Sequence, residues 1–169
     1  HNSGYTILDL DVDESLIDNI NYDIEKIVLD GNIKTNPSMY HYNESPRIVE
    51  AWKFSKNIAK LSLNRLVIEK LQMFYDRKPV AISSLNFIKG TEQPLHSDTI
   101  HFGTIPRGYL SAAWVALEDT DKDNGALRVI EGSHKLKDID FFDLKITPPK
   151  NAKQAEYIYK QYEHYVQEL

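Results

Sequence analysis

Apolar residues at Val12, Leu16, Ile17, Ile20, Ile24, Ile27 and Val28 recur at close to helical spacing, which predicts an amphipathic helix over residues 12–30. Asp13 is placed to cap its start and Gly31 its end. The polar segment Gly31–Ser45, with Pro37 and Pro46 bounding it, reads as a loop. A second helical region is predicted from Arg47 to Arg77, with a break near Leu61 and Ser62 because Ser62 and Asn64 are weak interior helix residues. Leu63, Leu66, Val67, Leu71 and Phe74 supply its expected buried stripe.

The texture then changes. Val80–Ile88 carries Ile82, Leu85, Phe87 and Ile88 without a charge and reads as a strand, and Lys89-Gly90-Thr91-Glu92 as a turn. Leu95–Ile100 is expected to be short and extended, Leu110–Leu117 a central strand, and Ala126–Ile130 another strand after the acidic turn Glu118–Asn124 closed by Gly125. Ile158, Tyr162, Tyr165 and Leu169 fall on one face of a terminal helix. Helices followed by short strands with uneven gaps predict a helix-backed antiparallel sheet or barrel. The expected organisation is a single domain over 1–169, with mainly helical support at 12–77 and a sheet core at 80–135. The helical pattern runs to the last residue, so the chain is expected to stop inside a larger domain.

Composition narrows the chemistry. The 169 residues suit one domain or most of one, and the formal charge of -5 argues against a polyanion-binding surface, so no nucleic-acid partner is expected. The absence of cysteine excludes thiolate catalysis, disulfides and iron–sulfur ligation, leaving histidine and carboxylate as metal donors. No apolar run approaches the roughly 20 residues of a spanning helix, and no basic-then-apolar leader is seen. No membrane partner is therefore expected, and the cytoplasm is the expected compartment.

Within Gln93-Pro94-Leu95-His96-Ser97-Asp98, the histidine and the acid are two apart. On an extended strand both side chains project to one face and can grip one metal ion. They would make two-thirds of the two-histidine, one-carboxylate face of non-haem iron(II) oxygenases. The ordinary alternative is a surface histidine interacting with a neighbouring acid. His101 would point to the opposite face and reads as a packing or hydrogen-bonding residue. His134, in the turn after Gly132-Ser133, stabilises that turn or lines a pocket edge. His164 reads as part of a solvated helix face, and Lys34, Tyr40 and His41 as part of a solvated loop or a ligand-reaching one. Trp114 fills a core or floors an active-site cavity. Asp119, Asp121 and Asp123 alternate as in a calcium loop, but the glycine and terminal glutamate positions of that loop are not met, so an exposed turn is expected.

Taken together, QPLHSD, GYLSAAWVALED and DNGALRVIEGSHK, spread over roughly Val80 to Lys135, resemble the phytanoyl-CoA dioxygenase family of iron(II)- and 2-oxoglutarate-dependent oxygenases. The terminal YIYKQYEHYVQEL is similar to the helical stretch before the final strands of bacterial members. The resemblance implies a double-stranded β-helix (jelly roll) with flanking helices, and the cofactors Fe(II) and 2-oxoglutarate. It implies a small-molecule substrate and molecular oxygen as reaction partners. His96 and Asp98 would be metal ligands and catalytic residues, and Trp114 would face the cosubstrate pocket. Gly125 and Gly132 would shape turns beside that pocket, and His134 would belong to the GSHK turn without binding iron.

The family pattern also implies a second iron histidine after the terminal helix, followed by an arginine that holds 2-oxoglutarate. His164 is in the wrong context for the first, and no arginine follows Arg128. The chain is therefore expected to be a C-terminally truncated portion of an oxygenase, with an exposed sheet edge that invites homodimerisation. The leading expectation is an Fe(II)- and 2-oxoglutarate-dependent hydroxylase in the parent protein. The runner-up is a non-catalytic binding or assembly module of the same fold with an incomplete metal site, with Gly31–Ser45 as a partner surface. A cupin-like isomerase or other metal enzyme is the third.

Overall fold

Leu16, Ile20 and Ile24 lie along one face of α1 (Glu14–Leu29) and are buried there, as their four-residue spacing requires. This is a computed structural model, which describes residues 3–29, 47–88, 90, 93–100, 102–137, 143–145 and 150–168. The expected Gly31 cap, the Gly31–Ser45 loop with Lys34, Tyr40 and His41, most of the Lys89–Glu92 turn, His101 and Leu169 lie outside the described residues. At the start of α1 the carbonyl of Asp13 accepts the N–H groups of Leu16 and Ile17 at 2.9 and 3.4 Å.

The buried face of α1 packs against Ile48, Ala51 and Ile58, with Val12, Ile27, Trp52, Leu61 and Leu117 around it. These neighbours come from a strand β1 (Arg47–Val49), a single 3-10 turn (Ala51–Lys53) and α2 (Lys56–Ser62). Polar groups fix the same junction. Ser55 caps α2 by accepting the N–H of Ile58 at 3.0 Å, and its hydroxyl donates to Asp23 on α1 at 2.5 Å. Asn57 adds a second donor to the same carboxylate oxygen at 2.9 Å.

The predicted break in the second helical region is found. α2 ends at Ser62 and α3 spans Arg65–Tyr75, started by Asn64, whose side chain accepts from Leu66 and Val67. Asn and Ser favour such ends because their side chains replace missing backbone partners. The expected buried stripe is not found: no residue of α3 is buried, and Leu63 and Phe74 are exposed. Arg47–Val49, expected to begin a helix, is instead a strand.

That strand pairs antiparallel with β2 (Leu85–Phe87), with Arg47 opposite Phe87, Ile48 opposite Asn86 and Val49 opposite Leu85. The N–H of Glu50 extends the pairing to the carbonyl of Ser84 at 2.7 Å. The last helix, α4 (Ala152–Gln167), buries Ile158, Tyr159, Tyr162 and Glu163, while Tyr165 from the expected face is 37% exposed. Tyr159 and Tyr162 form a second cluster with Leu144 and Val166.

The double-stranded β-helix is therefore corrected. Of the described residues 43% are helical and only 4% lie in strands, forming one open two-stranded sheet. Leu110–Leu117 and Ala126–Ile130 join no ladder among the described residues. The physical reason is that an apolar stretch becomes a strand only when another backbone satisfies its N–H and C=O groups. The first segment is tied down only at its ends: the Tyr75 hydroxyl bonds the Leu110 carbonyl at 3.0 Å and meets the Ser111 hydroxyl, while Leu117 packs on the α1 cluster and accepts from the Asn21 amide at 3.0 Å. Trp114, Leu127, Val129 and Ile130 remain largely exposed. Gly132, with φ of 81°, opens the 3-10 turn Ser133–Lys135, a conformation that suits glycine. Ser3 clasps this turn, accepting the N–H of Gly132 at 2.8 Å and donating its hydroxyl to Glu131 at 2.7 Å.

Candidate functional site

The segment bearing His96 and Asp98 does not stay extended. After Ser97 the chain enters a single 3-10 turn, Asp98–Ile100. Ser97 and Thr99 share a hydroxyl–hydroxyl bond of 2.8 Å, and the N–H of Phe102 donates to the carbonyl of Asp98 at 2.9 Å. The two candidate side chains nevertheless meet, with His96 Nε2 lying 3.5 Å from Asp98 Oδ1. His96 Nδ1 is 2.8 Å from the carbonyl of Pro94, an acceptor only, so Nδ1 carries the proton. That leaves Nε2 turned to the carboxylate.

The last helix holds this turn in place. On α4, Tyr162 is 1% exposed, and its hydroxyl accepts the N–H of Ser97 at 2.7 Å and donates to the Ser97 carbonyl at 3.3 Å. The residue between the two candidate ligands is thereby fixed at both backbone polar groups. On the sheet side, Arg47 lies over the ring of its cross-strand partner Phe87, at 5.3 Å from the centroid. Its charge is felt at His96, and Tyr159 is felt at Arg47.

The electrostatics follow from these neighbours. The hydrogen bond with Asp98 raises the His96 pKa above its ordinary value, with help from the Pro94 carbonyl and the Asp98 charge, against burial and Arg47. Burial raises the Tyr162 pKa, opposed by its bonds to Ser97. Burial also lowers the Arg47 pKa, opposed by Tyr159.

A histidine that gives Nδ1–H to a backbone carbonyl has the orientation common in metal ligands. Yet among the described residues no group of three or more histidine and carboxylate side chains comes together to hold a metal ion. The expectation of an iron-binding jelly roll is corrected on both counts: the described residues bring two donors together, not the three of a complete face.

The other candidates fall elsewhere. Trp114 is 46% exposed and gives no hydrogen bond or ring contact to this cluster. His134 stands in the turn after Gly132, and an added Cβ at Gly4 would collide with its ring. His164 pairs with Glu168 at 3.2 Å on an exposed face. The acidic turn bonds to itself: Asp121 accepts from the N–H of Asp123 at 2.8 Å, and Asn124 accepts from the N–H of Asp121 at 2.6 Å. Sequence reasoning missed Tyr162 as the side chain that fixes Ser97 between the pair. The one available signal was a tyrosine on an apolar helix face, whose buried hydroxyl needs a partner.

No helix among the described residues is long and apolar enough to cross a membrane. No solved structure matches the chain. Among curated proteins it is similar to "Phytanoyl-CoA dioxygenase, peroxisomal" of Mus musculus, 40% identical over 47 residues, covering 28% of this chain and 14% of the relative. The Bos taurus protein of the same name matches to the same extent, 40% over 47 residues. "Phytanoyl-CoA dioxygenase domain-containing protein 1" of Danio rerio is 36% identical over 72 residues, 40% of this chain and 24% of the relative. The matched part is thus under a quarter of these relatives' length. The mouse and bovine relatives are named as peroxisomal, which overturns the cytoplasmic expectation. The family model for phytanoyl-CoA dioxygenase (PhyH) matches residues 3–165, and the chain belongs to that family.

Proposed function

We propose that this chain acts as a binding or assembly module of the family, non-catalytic by itself, with an incomplete metal site made of His96 and Asp98. The carrying observation is the convergence of that imidazole and carboxylate at 3.5 Å, without a third donor gathered around them among the described residues. An open ligand set of two binds a divalent ion weakly, because an iron face of this kind needs three protein donors. The assembly surface follows from the unladdered apolar segments: Trp114, Leu127, Val129 and Ile130 are exposed on backbone that still has strand-forming capacity. A second copy of the chain, or a segment that completes the sheet, is the partner proposed for it.

A second reading is favoured by family membership and by the orientation of His96. In it the whole protein is an Fe(II)- and 2-oxoglutarate-dependent hydroxylase of a small organic substrate, using molecular oxygen. His96 and Asp98 are then two of its iron ligands and Trp114 faces the cosubstrate, with the other histidine and the arginine supplied from outside the described residues.

Titration of the chain with Mn(II) as a probe ion, beside an assay of 2-oxoglutarate-dependent succinate formation, separates the readings. The module reading expects weak metal binding, lost in both His96→Ala and Asp98→Ala, and no turnover. Stoichiometric succinate from this chain alone overturns it. Metal affinity unchanged in both variants removes the pair from either reading.

A further inference from the structure

A cavity of about 340 Å³ lies between the chain leading into α1 and the junction of α2 with α3. That size suits a small molecule and not a folded partner. No residue of the His96–Asp98 turn lines it, and neither does Tyr162 or Trp114. Leu16 and Leu61 line it from the α1 cluster, so an apolar group seated there extends an existing core.

The two sides carry opposite charge. Residues 10–13 bring in the carboxylates of Asp11 and Asp13, neither of which has an ion pair among the described residues. Asp11 is held at φ 45°, with its N–H donating to Asp9 Oδ1 at 3.0 Å. Across the cavity, α2 contributes Lys60, also without an ion pair among the described residues. α3 contributes its N-terminal turn, where the helix dipole adds positive potential. Arg65 at that end is already bonded to Glu69 at 2.6 Å. Backbone bonds hold both sides in place: the carbonyl of Asp13 accepts from Leu16 at 2.9 Å, and the N–H of Asn64 donates to the Leu61 carbonyl at 3.0 Å.

We propose that this cavity binds a free α-amino acid with an apolar side chain. Its ammonium sits at Asp11 and Asp13, its carboxylate at Lys60 and its side chain on Leu16 and Leu61. An anion alone meets two repelling aspartates, and a cation alone leaves Lys60 facing a like charge. The zwitterion is the small ligand that complements both sides at once.

The test uses the full chain and L-leucine, followed by NMR of the Leu16 and Leu61 methyl groups. Isocaproate, the same skeleton without the ammonium, and isoamylamine, the same skeleton without the carboxylate, are the comparisons. Saturable leucine binding is expected, tighter than that of either comparison. Lys60→Gln should weaken leucine and isocaproate about two- to fivefold, the scale of one exposed ion pair, and not isoamylamine. Asp11→Asn, a residue that tolerates the left-handed backbone, should weaken leucine and isoamylamine by a similar factor and not isocaproate. Asp13→Asn takes its place if Asp11→Asn unfolds. Absence of saturation with leucine, equal affinity for the three probes, or leucine affinity unchanged in the lysine and aspartate variants overturns the inference.

Discussion

Tyr162 on the last helix holds both backbone polar groups of Ser97, the residue that separates His96 from Asp98. The geometry of the candidate pair is thus set by a side chain distant in sequence as well as by the local turn. Replacing Tyr162 with Phe keeps the buried ring and removes only the hydroxyl. It leaves the Ser97 N–H without this acceptor, which should cost about 1–3 kcal/mol of stability. Denaturant unfolding measures the loss, and the His96 ring resonances should shift in the same variant. A destabilised chain with unmoved His96 signals would show that the clasp does not position the pair.

The His96–Asp98 contact predicts a direction of pH dependence. The folded state holds the His96 proton more tightly than the unfolded chain, for which 6.5 is the ordinary value. The stability from this contact is therefore fully present below pH 6.5 and is lost as pH rises through the higher folded value. An NMR titration of His96 in chelated buffer should place its midpoint above 6.5, and Asp98→Asn should lower it. A midpoint unmoved by that substitution would mean the carboxylate is not the cause.

Asp23 accepts from Ser55 and Asn57 across the α1–α2 junction, and Ser55 is also the cap of α2. Ser55→Ala should cost about 0.5–2 kcal/mol through the cap alone. Loss of the bond to Asp23 adds to this. A double-mutant cycle with Asp23→Ala should give a coupling of roughly 0.5–3 kcal/mol, because the two groups touch. Strict additivity would mean the bond contributes nothing.

Ile20 is 0% exposed, at the centre of the cluster joining α1 to β1 and α2. Ile20→Ala should destabilise the chain by about 2–5 kcal/mol, through lost burial and an unfilled cavity. Met73→Ala, on an exposed position of α3, is the matched control and should change little. Equal losses at the two positions would contradict the placement of the core.

The parts legible from sequence are those specified locally. The spacing of Leu16, Ile20 and Ile24 is a helix face wherever it occurs, and Asn64 carries the chemistry of a helix start in its own side chain. The pair His96 and Asp98 was legible as a juxtaposition, but its backbone was not: a turn brings the groups together where a strand was expected. Strands were the least legible. Arg47–Val49 pairs with Leu85–Phe87, so its state depends on residues far along the chain, and nothing within Arg47–Val49 itself announces a partner. Leu110–Leu117 shows the converse, an apolar run whose composition suits a ladder that the described residues do not form.

The Ser97–Tyr162 clasp spans 65 positions, and translation delivers its two ends in order. A nascent chain carries the His96–Asp98 turn out of the ribosome well before the tyrosine that fixes it has been added. Alignment of the two side chains is therefore postponed until α4 has emerged and docked, and an abortive product ending ahead of α4 would retain His96 and Asp98 without the brace that fixes the residue between them.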